Sequence, residues 1–141
     1  MLQILLYIHV LTSIVMGIYL LMPFLVKHVD KLQSGAAQYG FLNVLFVSNR
    51  IGQFALILSF LTGGYMISKG NYSVLWQVLA IVLFLAVAAL SGIMGKRLRL
   101  AVKESSGSAV SAQLGSIKTL ATITGIIYFL IVTLMKFPYL V

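Results

Sequence analysis

Apolar residues in this chain do not alternate with polar ones. They fill four long runs, centred near Ile14, Leu58, Phe84 and Ile127. A helix needs roughly twenty residues to cross the hydrocarbon core of a bilayer, and each run is about that long. The pattern predicts an all-α integral membrane four-helix bundle. Its helices are expected over about residues 3–26, 51–68, 75–103 and 119–136 of a single domain, 1–141.

The polar breaks between the runs set the connections. Lys69, Gly70, Asn71 and Tyr72 form a tight link, which makes the second and third helices antiparallel neighbours. The stretch Ser34 to Arg50 is mixed. Ala36, Ala37, Phe41, Leu42, Val44 and Leu45 suit either a short helix lying along the interface or an outward extension of the second helix. The third helix is expected to continue past the membrane through Lys96 to Glu104. Glu104-Ser-Ser-Gly-Ser108 reads as a flexible connector, and Ser111 to Lys118 as a polar approach to the fourth helix. Pro138 stops that helix. Gly17 and Pro23 lie within the first helix, and the proline, which removes one backbone hydrogen bond, is expected to kink it. The first run has no basic leader and no small-residue cleavage site, so it is read as a retained helix.

Charge adds an orientation. Lys27, Lys31, Arg50, Lys96, Arg97, Arg99, Lys103 and Lys118 lie on one side of the four spans, and Lys69 and Lys136 on the other. The positive-inside rule places the first group in the cytoplasm and both termini outside. The same rule accounts for the net charge of +8 without nucleic acid, because the basic residues cluster where helices meet anionic head groups. The expected partners are therefore membrane lipids, not nucleic acid.

Composition removes several chemistries. The chain is 61% hydrophobic and 9% charged, too apolar for a soluble domain of 141 residues to bury. It has no cysteine, which excludes disulfides and thiolate sites. Its two carboxylates, Asp30 and Glu104, lie outside the apolar runs, which leaves neither a catalytic carboxylate pair nor an acidic proton relay inside the membrane.

Small and polar residues in membrane helices favour partner helices over lipid. Helical spacing selects one stripe per span. The stripes are His9, Thr12, Ser13, Met16 and Gly17 on the first and Ser59, Thr62, Gly63 and Met66 on the second. On the third they are Gln77, Ala80, Ala88, Ser91, Gly92 and Gly95, and on the fourth Lys118, Thr122, Gly125, Thr133 and Lys136. His9 stands out because an ionisable group inside a membrane marks function by default, and imidazole is a common haem ligand. The plainer reading is a structural hydrogen bond, to the helix of Ser91 or to Thr133. His28 beside Lys27 reads as a solvated side chain among head groups. Met66 and Met135 fall at a depth near that of His9 and suit either soft-metal or haem ligation or gap filling. Lys136 and Arg50 read as snorkelling anchors or as cationic partners for an anionic ligand.

His9-Val10-Leu11 followed by Gly17 resembles the opening of a group of bacterial four-helix membrane proteins that includes CopD-like copper-resistance domains and HemJ-type protoporphyrinogen oxidases. Asn49-Arg50 and Leu61-Thr62-Gly63 resemble the second helix of that group. Gly95-Lys96-Arg97-Leu98-Arg99 resembles the basic end of the third, and Met135-Lys136-Phe137-Pro138 the terminal motif, with altered order. The resemblance implies a bacterial cytoplasmic membrane protein that handles haem b, a porphyrin or copper through His9. The chain departs from HemJ-type enzymes near Leu90-Ser91-Gly92, where it has no second histidine. What remains is a single-histidine site, with Met66, Met135 or Lys136 opposite, or completed across a homodimer. The alternative is a non-catalytic accessory subunit or a transport component of a membrane complex.

Overall fold

The computed structural model describes residues 1–29, 31, 32, 35–103 and 109–139. Asp30, Ser34 and the connector 104–108 lie outside the described residues. Five α-helices follow in order: α1 Leu2–Met16, α2 Ile18–Val29, α3 Gly35–Lys69, α4 Val74–Lys103 and α5 Ala109–Lys136. α1 and α2 are the two halves of the first span. The described residues thus hold four spans long and apolar enough to cross a membrane, as the hydropathy pattern predicts. Met1, Lys69 and Lys136 lie at one end of the bundle, the terminal end. The eight other lysines and arginines mark the opposite, basic end.

The break in the first span falls at Gly17, six residues before the expected kink at Pro23. Gly17 N–H donates to Ile14 O at 3.0 Å, and Leu20 N–H donates to Gly17 O at 3.0 Å. Both bonds span three residues, so the helix tightens locally to 3₁₀ geometry there and the first span divides into two halves. Pro23 acts one turn further on, because it lacks the N–H that would otherwise donate to Tyr19 O.

The two halves have different neighbours. α1 lies against α3 and does not reach the α5 backbone, whereas α2 packs on both α5 and α3. α4 packs between α3 and α5. The approach of α2 to α5 is close because position 125 is glycine. A Cβ there would stand 2.9 Å from Tyr19 O and 3.3 Å from Pro23 Cγ. The core of this half holds Tyr19, Met22, Val26, Val87, Met94 and Ala121, all fully buried or nearly so. Lipid-side positions such as Ile14, Phe54, Leu61, Leu85 and Ile126 stay exposed, as they should where the solvent is hydrocarbon.

One open alternative is decided here and one expectation is corrected. The stretch before Arg50 extends the second helix outward, because α3 is one helix of 35 residues, Gly35–Lys69. At about 1.5 Å per residue it is far longer than a roughly 30 Å hydrocarbon layer needs. The surplus lies at the basic end, where Leu42 and Leu45 are buried with Val29, Leu98, Ala101, Leu114 and Ile117 in one apolar cluster. Burial on a helical repeat holds this stretch upright in the bundle, not flat on the interface. The fourth helix begins at Ala109, and its candidate span at Leu114, earlier than the expected start near 119.

The correction concerns the inward face of α5. Thr122, Thr133 and Lys136 are exposed, while Ile117, Ala121, Thr124, Tyr128 and Ile131 face the core. The two exposed threonines donate to carbonyls of their own helix, Thr122 to Lys118 O at 2.8 Å and Thr133 to Phe129 O at 2.9 Å. A hydroxyl satisfied one turn back needs no partner helix. Gly92 on α4 is also exposed.

Candidate functional site

His9 sits two turns into α1 from the terminal end, on the face turned to α3. Its Nδ1 lies 3.0 Å from Ser59 O and 3.1 Å from Thr62 Oγ1. A carbonyl oxygen can only accept, so Nδ1 carries the hydrogen and donates. The Thr62 hydroxyl donates to Leu58 O at 2.8 Å, which leaves its oxygen free to accept from His9. Gly63 makes room for the ring: a Cβ at that position would stand 2.9 Å from His9 Cε1. The partners are therefore on α3. Ser91 and Thr133, the partners expected from the stripe pattern, are engaged elsewhere. Asn49 Nδ2 donates to Ser91 O at 3.1 Å, and Thr133 bonds within α5.

With Nδ1 fixed as donor, the lone pair of the neutral ring resides on Nε2. That nitrogen has no hydrogen-bond partner among the described residues. His9 lines a cavity of about 610 Å³ at the terminal end, within the roughly 300–1,000 Å³ usual for cofactor and small-molecule sites. The cavity exists because α1 leans to α3 while α5 is held by α4. Its back wall is formed by Gly63, Met66 and Ile67 of α3 with Trp76 and Phe84 of α4. One side is formed by Val10, Ser13 and Ile14 of α1, and the other by Tyr128, Ile131, Val132 and Met135 of α5. Val10, Ile14 and Val132 are exposed as well as cavity-lining, so the opening faces the bilayer sideways. The lining is overwhelmingly apolar.

Two tyrosine and tryptophan contacts frame the cavity. Tyr128 OH donates to Ser13 O and bridges α5 to the end of α1. Below this bridge α2 closes onto α5, so it forms the floor. At the rim, Trp76 Nε1 donates to Leu134 O at 3.0 Å. Leu134 O is available because Pro138, four residues on, has no N–H to give it. Tyr72 stacks on Trp76, with ring centroids 4.6 Å apart. A smaller cavity of about 160 Å³ between α3 and α4 shares His9, Gly63, Ile67, Phe84 and Met135 with the large one.

The structure brings together most of the residues singled out in the sequence. His9, Met66, Met135 and Lys136 all line the one cavity, with Met66 and Met135 half-buried and Lys136 exposed at the rim. Met22 and Met94 are buried in the basic half and do not join them. His28 is exposed, with Nδ1 3.0 Å from Phe24 O of its own helix. Arg50 is at the opposite end. Among the described residues no three or more His, Asp or Glu groups come together as a metal cluster. Tyr128 and Trp76 were missed by sequence reasoning. The one readable signal was Pro138, which predicts an orphan carbonyl near the end of α5 that something must satisfy. Comparison with protein-family models, with curated proteins and with solved structures finds no match to this chain.

Proposed function

We propose that this protein is a small bacterial cytoplasmic membrane protein that binds haem b, or a related porphyrin, in the lateral cleft through His9. The observation that carries this reading is the state of the imidazole. Nδ1 is committed to a backbone carbonyl, which leaves the lone pair of the neutral ring on Nε2, and the ring lines an apolar cavity large enough for a cofactor. Ligating histidines almost always donate their second nitrogen to a carbonyl or carboxylate in this way, which fixes the tautomer and raises ligand basicity. The resemblance of the His9 segment to CopD-like and HemJ-like openings points the same way.

The other residues fit the group. The cleft walls offer apolar and aromatic surface to a macrocycle. Met66 and Met135 supply thioethers on the same cavity, and Lys136 supplies a cation at the rim for a propionate. Bound haem would supply redox chemistry, tuned by its axial ligands and by burial. The chain's own part is to hold and orient it and to exclude water. Positive-inside logic puts the cleft in the outer half of the membrane, with both termini outside.

The test is the visible spectrum of protein purified in detergent after expression with ample haem supply. A Soret band in the wild type that disappears in His9→Ala and persists in His28→Ala is the expected result. Colourless wild-type protein overturns the reading. Copper found by elemental analysis of that colourless protein, lost with Met66→Leu or Met135→Leu, would reassign the same residues to Cu(I).

A further inference from the structure

A second site lies at the basic end, on the groove between α3 and α4. There Arg50, Gln53, Phe54 and Ile57 of α3 face Ala88 and Ser91 of α4 across a cavity of about 250 Å³. Arg50 lies about twenty residues from the Lys69 end of α3, roughly the length of helix that a hydrocarbon layer takes, and its guanidinium sits over the Phe46 ring at 5.6 Å. Beyond that ring contact, no partner for the guanidinium is found among the described residues. Gln53, one turn deeper and half-buried, has no hydrogen-bond partner among the described residues. An amide without a partner at hydrocarbon depth is costly, and the cost falls if a polar group enters beside it. Below Gln53 the groove is apolar, walled by Phe54, Ile57 and Ala88.

Cation, amide and apolar slot thus run in order from the interface towards the membrane centre. That is the order of phosphate, glycerol ester and acyl chain in a phospholipid. We infer that this groove is a binding site for one anionic phospholipid from the leaflet at the basic end. Its phosphate pairs with Arg50, its ester region bonds Gln53, and a chain lies along Phe54 and Ile57 against Ala88. The bidentate fork of arginine suits a phosphate better than a lysine would. The floor is set by buried Ser91, whose carbonyl is already taken by Asn49.

Native mass spectrometry of the detergent-solubilised full chain tests this, using phosphatidylglycerol and phosphatidylcholine of identical chains. The expected result is one retained phosphatidylglycerol per chain, held about tenfold more tightly than phosphatidylcholine, the scale of one arginine near an anionic head group. Arg50→Gln removes the preference, while Lys69→Gln at the other end keeps it. Ala88→Leu fills the slot without touching the charge and expels both lipids. This keeps the inference testable even if Arg50→Gln does not fold. Equal retention of the two lipids by the wild type, unchanged retention in Ala88→Leu, or displacement by inorganic phosphate alone overturns the assignment.

Discussion

The two halves of the bundle are built from the same four spans and end up with opposite interiors. In the basic half, α2 closes on α5 through Gly125, and the core is filled by Met22, Val26, Met94 and Ile117. In the terminal half, α1 has swung to α3, the facing positions of α5 are Tyr128, Ile131 and Met135, and a cleft remains. Apolar content does not separate the halves. What differs is where a small residue permits backbone approach, and where a broken helix points. A helical membrane protein can therefore make a binding cavity by redirecting one half-span, with no loss of hydrophobicity that a sequence profile would show.

Substitutions can break this contrast in graded steps. The largest effect is expected for Gly125→Val, because its Cβ would press on a backbone carbonyl that cannot rotate away. The cost should be about 1–3 kcal/mol, as for overpacked cores, and should appear as a lower unfolding temperature in detergent. Unchanged stability would mean that the close approach is not what seals the basic half. Trp76→Phe comes next, with a loss of about 1 kcal/mol for one hydrogen bond. Because Pro138 cannot replace the lost donor, amide exchange should rise at the end of α5 and not in α2.

Tyr128→Phe should cost less, about 0.6 kcal/mol, the average for a polar contact between membrane helices. It removes the bridge to Ser13 O and so tests whether the cleft floor is held by that bond. The chain has no cysteine, so spin labels at Val10→Cys and Val132→Cys can report the width of the slit, which should broaden in the variant. An unaltered distance distribution would assign the floor to packing alone. The smallest effect is expected for His28→Ala. Its ring bonds only its own helix, so stability should stay within about 0.5 kcal/mol of wild type, as for ordinary surface changes. A large loss would show that the two histidines are less different than their surroundings imply.

Much of this architecture was legible in the residues. Four apolar runs specify four spans, and the stripes Thr12 to Met16 and Ser59 to Met66 do face partner helices. The pairing of His9 with α3 was not legible, because stripe logic identifies a face and not the neighbour it meets. The position of the break was hidden for a different reason. Pro23 announces a missing hydrogen bond, but the helix yields at Gly17, where tightening to three-residue bonds is easy. Threonine misled the reading of α5, since Thr122 and Thr133 satisfy their hydroxyls on their own backbone and are indifferent to lipid. The inward positions there were Ala121 and Tyr128, a small residue and a half-polar one in a run that otherwise looks uniformly greasy.

The indole bond to Leu134 O has a mechanical consequence. It fastens one jaw of the cleft to the rigid α3–α4 wall at the far tip, where a helix would ordinarily fray. The opposite jaw, α1, lies against α3, is tied to α5 only at its inner end through Tyr128 and Ser13, and is joined to the rest of its span at the tightened step of Gly17. Any widening that admits a guest from the lipid must therefore be levered by α1, pivoting about a single residue, while α5 stays put.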